Sequence, residues 1–312
     1  MILKSVRVSA IAARSMWACV LLAPIGCGQA PLEPREPTPG RAHFTIATFN
    51  VEDGKQTDQA TVEAIGATKA DLICLQETGD GWIEVIKARY AAEYPYMMFE
   101  PGGTGGLAVL SKQRLVSRAV YPGEAGGHPS WSLFAETPAG WLSLLNVHLR
   151  SLYAAKKGLI GDYLSWGSDH VTQLESVWSN SSTGEEVVRT MPRLVMGDFN
   201  DGENGDAVDY LTSIGLTDVL PLFHPGQYTW RHPSLAGQFN EALDHVLFDS
   251  WVEPLDAYVL NRGNSDHIPV VAHFEASAPW PEFDPSKLQP GTIDPHTIAG
   301  TQPVITLEST QN

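Results

Sequence analysis

The segment Leu194-Val195-Met196-Gly197-Asp198-Phe199-Asn200-Asp201 joins an apolar run directly to acidic and amide side chains. The apolar run is typical of a buried strand with Asp198 at its end. Side chains two residues apart on an extended chain share a face, so we expect Asp198 and Asn200 together and Phe199 on the opposite, buried face. An Asx turn at Asp201-Gly202 is the alternative interpretation, but it does not explain the apolar strand that precedes it.

Other strand-like runs also have polar side chains at one end, namely Asn50, Glu77, His148, Asp244 and the pair Asp266-His267. Each has a plain structural alternative when taken alone: a helix N-terminal acid for Glu77, a satisfied core histidine for His148, a surface turn for Asp266. Taken together, the strand ends predict one converging polar site. Oxygen ligands beside histidines suit a divalent metal and a phosphate ester.

The residue types at these strand ends suggest roles in hydrolysis. A carboxylate such as Asp198 can orient a water or take its proton, while the amide of Asn200 holds an oxygen that gains charge. His267 can bind phosphate when protonated or act as a base, and Asp244 is the candidate to orient it. His245 should point to the opposite face of its strand, so we assign it a structural role.

His148 is a candidate for protonating or stabilising a leaving oxygen. Asn146 should share its face, and Arg150 and Tyr153 are further candidate contacts to phosphate. Glu52 and Asp53 follow Asn50 closely and are either an additional carboxylate ligand or ordinary loop acids.

The first 27 residues have the pattern of a bacterial export signal. Basic residues precede the apolar stretch from Met16 to Ile25, and Gly26-Cys27 follows. This ending resembles a lipoprotein cleavage site at which Cys27 is lipidated, although Pro24 departs from the usual pattern. We therefore expect a membrane-anchored lipoprotein on the periplasmic side or cell surface, with secretion as the alternative. The apolar run is short for a transmembrane span.

Composition divides the remaining chain into three parts. Residues 28–42 are proline-rich and predict an extended tether, residues 43–276 a globular domain, and residues 277–312 a second proline-rich, poorly ordered tail. Trp280 and Phe283 are candidates to pin the start of this tail. Outside the export signal, Cys74 is the only cysteine, so it cannot form an internal disulfide and is expected in the core.

Strand-like and helix-like patterns alternate through the domain. The predicted strands are Phe44–Asn50, Asp71–Gln76, Leu107–Ser111, Leu115–Tyr121, Ser132–Glu136, Leu142–Leu149, Arg193–Phe199, Leu243–Phe248 and Val270–Phe274. The predicted helices are Gln59–Lys69, Trp82–Tyr94, Tyr163–Trp178 and Ala207–Ile214. The pattern favours two sheets packed face to face and covered by helices.

The balance of basic and acidic residues indicates which kind of substrate the chain can bind. The chain has 20 Lys and Arg against 36 Asp and Glu, a net charge of −16. Tight binding to a long nucleic acid needs many basic contacts, so a small phosphoester or short nucleic acid is the favoured substrate. We expect membrane contact only through a lipid anchor, no protein partner, and a monomer.

The motifs TFNV at 48–51, LQE at 75–77, NVHL at 146–149, GDFND at 197–201 and SDH at 265–267 occur in this order. The combination resembles the endonuclease/exonuclease/phosphatase superfamily, from about Phe44 to Phe274. The resemblance implies an α/β (α+β) four-layer sandwich, with two packed, mostly antiparallel sheets flanked by helices, binding Mg²⁺ or Mn²⁺ at one edge.

The resemblance also implies roles for individual residues. Glu77 corresponds to the main metal ligand, supported by Asn50 and Asp266, and Asp198 to the residue that positions the attacking water. His267 corresponds to the residue that binds the scissile phosphate or acts as base. We therefore expect a metal-dependent phosphoester hydrolase, with phosphodiesterase, nuclease and phosphatase all open. A catalytically silent binding module with the same fold is the alternative.

Overall fold

The computed structural model of the chain describes residues 30–123, 127–151, 167–177, 191–234 and 237–285. Cys27 and Tyr153, each assigned a role from sequence, lie outside these ranges. Within them, no helix combines the length and apolarity needed to cross a bilayer.

Two six-stranded sheets form the centre of the domain. The first consists of β1 (His43–Asn50), β2 (Leu72–Gln76), β3 (Tyr96–Glu100), β4 (Leu107–Ser111), β13 (Val252–Val259) and β14 (Val270–Ala276). The second consists of β5 (Leu115–Tyr121), β6 (Ser130–Thr137), β7 (Gly140–His148), β8 (Arg193–Asp198), β9 (Thr217–Asp218) and β12 (Asp244–Phe248). The short hairpin of β10 (Trp230–Ser234) and β11 (Gly237–Glu241) is separate from both.

The strand orders are β13-β14-β1-β2-β4-β3 and β5-β6-β7-β8-β12-β9. Each sheet contains one parallel pair, β1 with β2 and β7 with β8, and its other neighbours are antiparallel. A parallel pair brings two carboxyl ends to the same edge of a sheet. The two parallel pairs therefore determine where polar strand ends can meet.

Helices cover the outer faces of both sheets. On the first sheet, α1 (Gln59–Ala67) and α2 (Asp80–Tyr90) bury Ile65 and Trp82 against Phe49 and Ile73. On the second, the helical residues 167–177 (α3) and α4 (Asp206–Ser213) pack against outward-facing strand side chains. The short helix α5 (Leu220–Phe223) adds side chains to the core between the sheets. The four-layer sandwich of two mostly antiparallel sheets is thus confirmed.

The core between the sheets follows the two-residue period of the strands. Side chains such as Ile46, Cys74 and Met196 fill it, and burial raises the pKa of the Cys74 thiol. Towards one edge the inward positions become polar, and the residues there are Thr48, Asn50, Gln76, Asn146, His148, Asp198 and Asp244. This change from apolar to polar is what places a site at that edge.

Residues 30–42, which we name the N-terminal clasp, do not form the free tether that composition suggested. The main-chain N–H groups of Leu32 and Arg35 donate to carbonyls of the domain at 2.7 and 3.0 Å. Glu275 on β14 is fully buried and accepts bonds from the Thr38 amide (2.7 Å) and the Arg35 guanidinium (2.8 Å). A buried carboxylate needs such donors, and this requirement holds the clasp in place.

The start of the C-terminal tail is also held. The Trp280 indole donates to the Trp251 carbonyl at 3.1 Å and packs edge-on against Phe44, while Phe283 packs against Phe134. Both aromatic residues therefore pin the tail, as expected. Residues 286–312, for which we predicted poor order, lie outside the described ranges.

Replacing Glu275 by glutamine is expected to lower the free energy of unfolding by about 2 kcal/mol, because charged hydrogen bonds to the clasp are lost. Although burial opposes ionisation, the Thr38 and Arg35 donors lower the pKa of Glu275 from 4.5 to about 2. This stabilisation is therefore complete above about pH 4.5 and disappears as the pH falls through 2.

Urea unfolding of the wild type and Glu275→Gln between pH 7 and pH 2 measures this contribution. Glu36→Gln, at an exposed position in the same clasp, is the control. A difference between wild type and Glu275→Gln that stayed constant down to pH 2 would contradict the assigned ionisation.

Candidate active site

The parallel pairs bring two sets of strand ends to one edge of the sandwich. In the first sheet Asn50 lies beside Gln76 in register, and Glu77 follows. In the second sheet Asp198 lies between His148 on one neighbouring strand and Asp244 on the other. The Asn50 Nδ2 donates to Glu77 Oε1 at 3.1 Å and to Asp198 Oδ2 at 2.9 Å. One amide thus joins the two halves of the site.

Asp198 is the central acceptor of this arrangement. Besides Asn50, the Nε2 atoms of His148 and His267 each lie 3.6 Å from its Oδ2. The Asn200 main-chain N–H donates to its Oδ1 at 2.8 Å. The structure therefore brings the predicted residues of both sheets around one buried carboxylate.

His267 is oriented by the predicted partner. Its Nδ1 lies 2.8 Å from Asp244 Oδ2, which also accepts the Thr229 hydroxyl at 2.7 Å. The His267 amide donates to Ser265 Oγ at 3.1 Å, and that hydroxyl donates to the Asn50 carbonyl at 2.8 Å. Thr229 and Ser265 were not predicted, because a single hydroxyl gives no pattern in a sequence.

Electrostatics keep a proton on His267. Burial disfavours its charge, but the carboxylates of Asp244 and Asp198 outweigh burial and raise the pKa of His267 well above neutrality. Burial also raises the pKa of Asp198, against the opposing effect of His267. A cationic imidazole beside a carboxylate whose proton affinity is increased suits the binding of an anion and the acceptance of a proton.

His148 stacks on a second histidine that sequence reasoning missed. The rings of His148 and His128 lie 3.9 Å apart at an angle of 11°. Burial, and then the charges of His128 and His267, lower the pKa of His148 well below its usual value. A neutral His148 can donate or accept one hydrogen bond at each ring nitrogen, which suits contact with an oxygen. His128 follows a glycine in a loop, and nothing in that local sequence indicated a site.

A second group of carboxylates lies on the side of the first sheet. Glu77 Oε2 accepts the Asp53 amide at 3.0 Å, and Glu52 Oε2 accepts the Asp266 amide at 3.2 Å. Asp266 in turn accepts the Trp230 indole N–H at 2.9 Å. Burial raises the pKa of Glu52, and the negative charges of Asp266 and then Glu77 raise it further because they repel the charge on Glu52.

Carboxylates with an amide side chain beside them are the donor types that Mg²⁺ and Mn²⁺ prefer, so this group of residues suits a hard divalent cation. Glu77, Asp266 and Asn50 are the ligands that the resemblance implies. Glu52 lies beside them, since its main-chain N–H donates to Asn50 Oδ1 at 3.0 Å and its carboxylate accepts the Asp266 amide, and its role as a ligand stays a prediction.

Left-handed backbone conformations concentrate at the site. Glu52, Glu77 and Asn200 have φ values of 60°, 59° and 46°, and Lys69 is the other described non-glycine residue with positive φ. Such strain persists where the surroundings determine it, and functional sites are common places for it. We had expected Asn200 to continue an extended strand from Asp198, and this expectation was wrong. The strand ends at Asp198, and Asn200 forms an Asx turn with Asp198.

Asp198, Asp244 and His267 also place ligand atoms within 4.8 Å of one another. We do not assign a metal to this trio. The two ring nitrogens of His267 face carboxylates, Asp244 at 2.8 Å and Asp198 at 3.6 Å, so the ring is placed as a hydrogen-bond donor between them. A metal-bound imidazole has to present a neutral nitrogen instead.

The remaining predicted substrate contacts differ from expectation. Asn146 is fully buried between the sheets, where it accepts Gln76 Nε2 at 2.8 Å and donates to two main-chain carbonyls at 3.3 Å. Arg150 is buried, and its guanidinium donates to Asp169 at 2.6 Å. The side-chain Nδ2 of Asn200 donates to the Leu149 main-chain carbonyl at 3.0 Å. His245, as predicted, points away from the site.

Solved structures with the same fold support this assignment of architecture. Zebrafish (D. rerio) TDP2 in complex with a single-strand DNA product is 18% identical, with a TM-score of 0.56, covering 74% of this chain and 98% of that one. The human Nocturnin catalytic domain with a bound sulfate anion is 17% identical, with a TM-score of 0.53, covering 76% and 94%. A functionally unknown conserved protein from Enterococcus faecalis is 18% identical, with a TM-score of 0.56, covering 75% and 100%.

Among curated proteins, none matches this chain. The model of the Endonuclease/Exonuclease/phosphatase family matches residues 47–267, which include every strand end of the site. The chain therefore belongs to the endonuclease/exonuclease/phosphatase family.

Proposed function

We propose that this protein is a metal-dependent hydrolase of phosphoesters, acting by attack of water on phosphorus. The observation that carries the proposal is the position of Asp198. Its carboxylate accepts a hydrogen bond from Asn50, which lies beside Glu77, and it is 3.6 Å from both His148 and His267. A proton acceptor, a cationic group and a cation site are thus adjacent, as this reaction requires.

The roles follow from the contacts. Glu77, Asn50, Asp266 and Glu52 would hold Mg²⁺ or Mn²⁺, which supplies charge stabilisation for the phosphoryl and leaving oxygens. Asp198 orients the attacking water and accepts its proton. His267, held by Asp244, binds a phosphoryl oxygen through its proton on Nε2. Asn200 holds the turn beside Asp198, and His148 is placed to hydrogen-bond the leaving oxygen.

A silent binding module is the competing proposal. Buried charges and strained backbone destabilise a fold, so a binding module that does no chemistry has no need of them. Here the His267–Asp244 pair, the left-handed Glu52 and Glu77 and the shared amide of Asn50 are all present. Their presence together favours the enzyme.

Removing divalent metal is expected to abolish turnover, because oxygen donors dominate the cation site. Purified protein is tested on a panel of duplex DNA, short RNA, phospholipid headgroup and small phosphodiester and phosphomonoester substrates, with excess chelator and after addition of Mg²⁺ or Mn²⁺. Turnover that persists in chelator argues against the mechanism, and inactivity on the whole panel with either metal favours the binding module.

We further propose a compact phosphoester or a short nucleic acid as the substrate. Many basic side chains are already paired with carboxylates, among them Arg35, Arg114, Arg150 and Arg193. We infer a single chain as the active unit, because both halves of the site come from one chain.

Cleavage of a small phosphodiester is expected to change little with salt, since few phosphates are contacted. Activity on a small phosphodiester and on long duplex DNA, measured from 50 to 300 mM salt, tests this. Efficient duplex cleavage that falls steeply with salt would instead indicate a nuclease that tracks long DNA.

Localisation is also a proposal. We infer export and anchoring through lipidated Cys27 from the pattern of the first 27 residues. Mass spectrometry of the mature N-terminus decides between lipidated Cys27 and an unmodified residue further along, which would mean secretion.

A further inference from the structure

A second buried histidine–aspartate pair lies directly behind the candidate active site. His245 follows Asp244 on β12 and points to the opposite face of the sheet, where it is 2% exposed. Its Nδ1 lies 2.6 Å from Asp218 Oδ2, and its Nε2 lies 2.9 Å from the Asp201 main-chain carbonyl oxygen. None of the roles in the proposed reaction uses this pair.

The two hydrogen-bond acceptors determine the protonation state of the His245 imidazole. A neutral imidazole has one N–H and one lone pair, and its lone pair would face an oxygen here. The bonds to Asp218 and to the Asp201 carbonyl are satisfied together when both nitrogens carry hydrogen. The pKa agrees: burial opposes the charge, but Asp218 and the Asp201 carbonyl outweigh burial and raise the pKa of His245 to about 9.

The carbonyl that His245 holds belongs to the turn after β8. The turn begins with Asp198, whose Oδ1 accepts the Asn200 amide, and it includes the left-handed Asn200. Phe199 packs edge-on against the His245 ring, with centroids 5.3 Å apart. The Asp201 carboxylate accepts the Ala207 amide at 2.8 Å and thereby joins the turn to α4. His245 is thus in contact with two of the four residues of this turn.

We propose that His245 is a positioning residue that fixes the turn bearing Asp198 and Asn200 through its hydrogen bonds to Asp218 and to the Asp201 carbonyl. A strained turn needs external contacts to keep one conformation. A shift of about 1 Å in a reacting group costs on the order of 100-fold in rate. The effect on rate rests on the proposed function, whereas the effect on the turn does not.

His245→Phe keeps a ring in the packed space and removes both hydrogen bonds. We expect kcat to fall about ten- to a hundredfold, with KM changed by less than about threefold, since the group that shifts acts on the attacking water. Asp218→Asn, a second variant that keeps the side-chain shape, is expected to give a smaller fall of the same kind. The kcat of the double variant His245→Phe/Asp218→Asn should be no lower than that of His245→Phe alone, because the pair acts as a unit.

His273→Phe is the matched control, since it makes the same change at a half-buried histidine on β14 whose bond, 2.8 Å to Thr45, lies away from the turn. The proposal is overturned if His245→Phe, or Asp218→Asn should His245→Phe not fold, keeps kcat within about threefold of the wild type. It is also overturned if His273→Phe loses as much kcat as His245→Phe.

Amide hydrogen exchange separates this proposal from the proposed function. The Asn200 and Gly202 amides are bonded to Asp198 and Asp201 in the turn, so they should exchange at least about tenfold faster in His245→Phe than in the wild type. This readout needs no substrate. If the wild type cleaves no phosphoester, faster exchange still supports the positioning role, and unchanged exchange overturns it.

Discussion

His267→Ala is expected to lower kcat by about 10³- to 10⁴-fold, because it removes the buried cation that faces Asp198 and that we propose to bind the phosphoryl oxygen. The His267 Nε2 lies 3.6 Å from Asp198, and Asp244 fixes the ring from the other side. Steady-state kinetics with saturating metal measures the loss, and circular dichroism checks the fold. His245→Ala, one residue from Asp244 but on the opposite face, should lose far less.

Equal losses in folded His267→Ala and His245→Ala would show that the two faces of β12 have been assigned wrongly. Asp244→Asn gives an independent measurement. It keeps the shape of the side chain that accepts the Thr229 hydroxyl but removes the negative charge that holds the proton on His267. Its activity should lie between the wild type and His267→Ala.

Asp198→Asn is expected to lower kcat and kcat/KM together by about 10³-fold, since in the proposed reaction the interaction lost is one with the attacking water in the transition state. The replacement is almost isosteric, so the turn should survive. It nevertheless removes the proton acceptor, and it places an amide where Asn50 Nδ2 donates at 2.9 Å.

Rapid-mixing kinetics under single-turnover conditions separates the chemical step from product release in Asp198→Asn. Asp209→Asn, at an exposed position on α4, is the matched control for the same change of charge. A single-turnover rate within about tenfold of the wild type would mean that another group accepts the proton of water.

The polar strand ends could be predicted because they follow from a strict local rule. Apolar side chains alternate along β8 and β12, so the face of Asp198, and the opposite faces of Phe199 and His245, could be read directly from their positions. Parallel pairing then brought the ends together. The resemblance to the family added the four-layer arrangement and the roles of individual residues.

Several elements could not be predicted, for identifiable reasons. β13 contains Pro254 and a register shift, features that an edge strand tolerates and that hide the strand in the sequence. β3 is a short edge strand directly after a helix-like segment, and β10 and β11 form a hairpin outside both sheets. The N-terminal clasp looked free because Glu275, its acceptor, lies some 240 residues away in the sequence.

Asn200 shows a different limit. Spacing alone placed it on an extended chain, yet Asp198 Oδ1 accepts the Asn200 main-chain N–H in a turn, and the strand ends at Asp198. His128 shows a third, since its ring reaches the site only by stacking on His148 across a loop. Residues placed by a left-handed turn or by the packing of a loop leave no periodic pattern in the sequence.

The position of β14 has a consequence for biosynthesis. This last strand is inserted between β13 and β1, the first strand of the domain, and the segment just before it carries Asp266 and His267. A nascent chain on the ribosome therefore exposes an unpaired edge of β1 until nearly the whole domain has emerged. During that time it has neither His267 nor the complete set of proposed cation ligands. The proposed site is therefore completed only when the first sheet closes, and we expect partial translation products to be inactive.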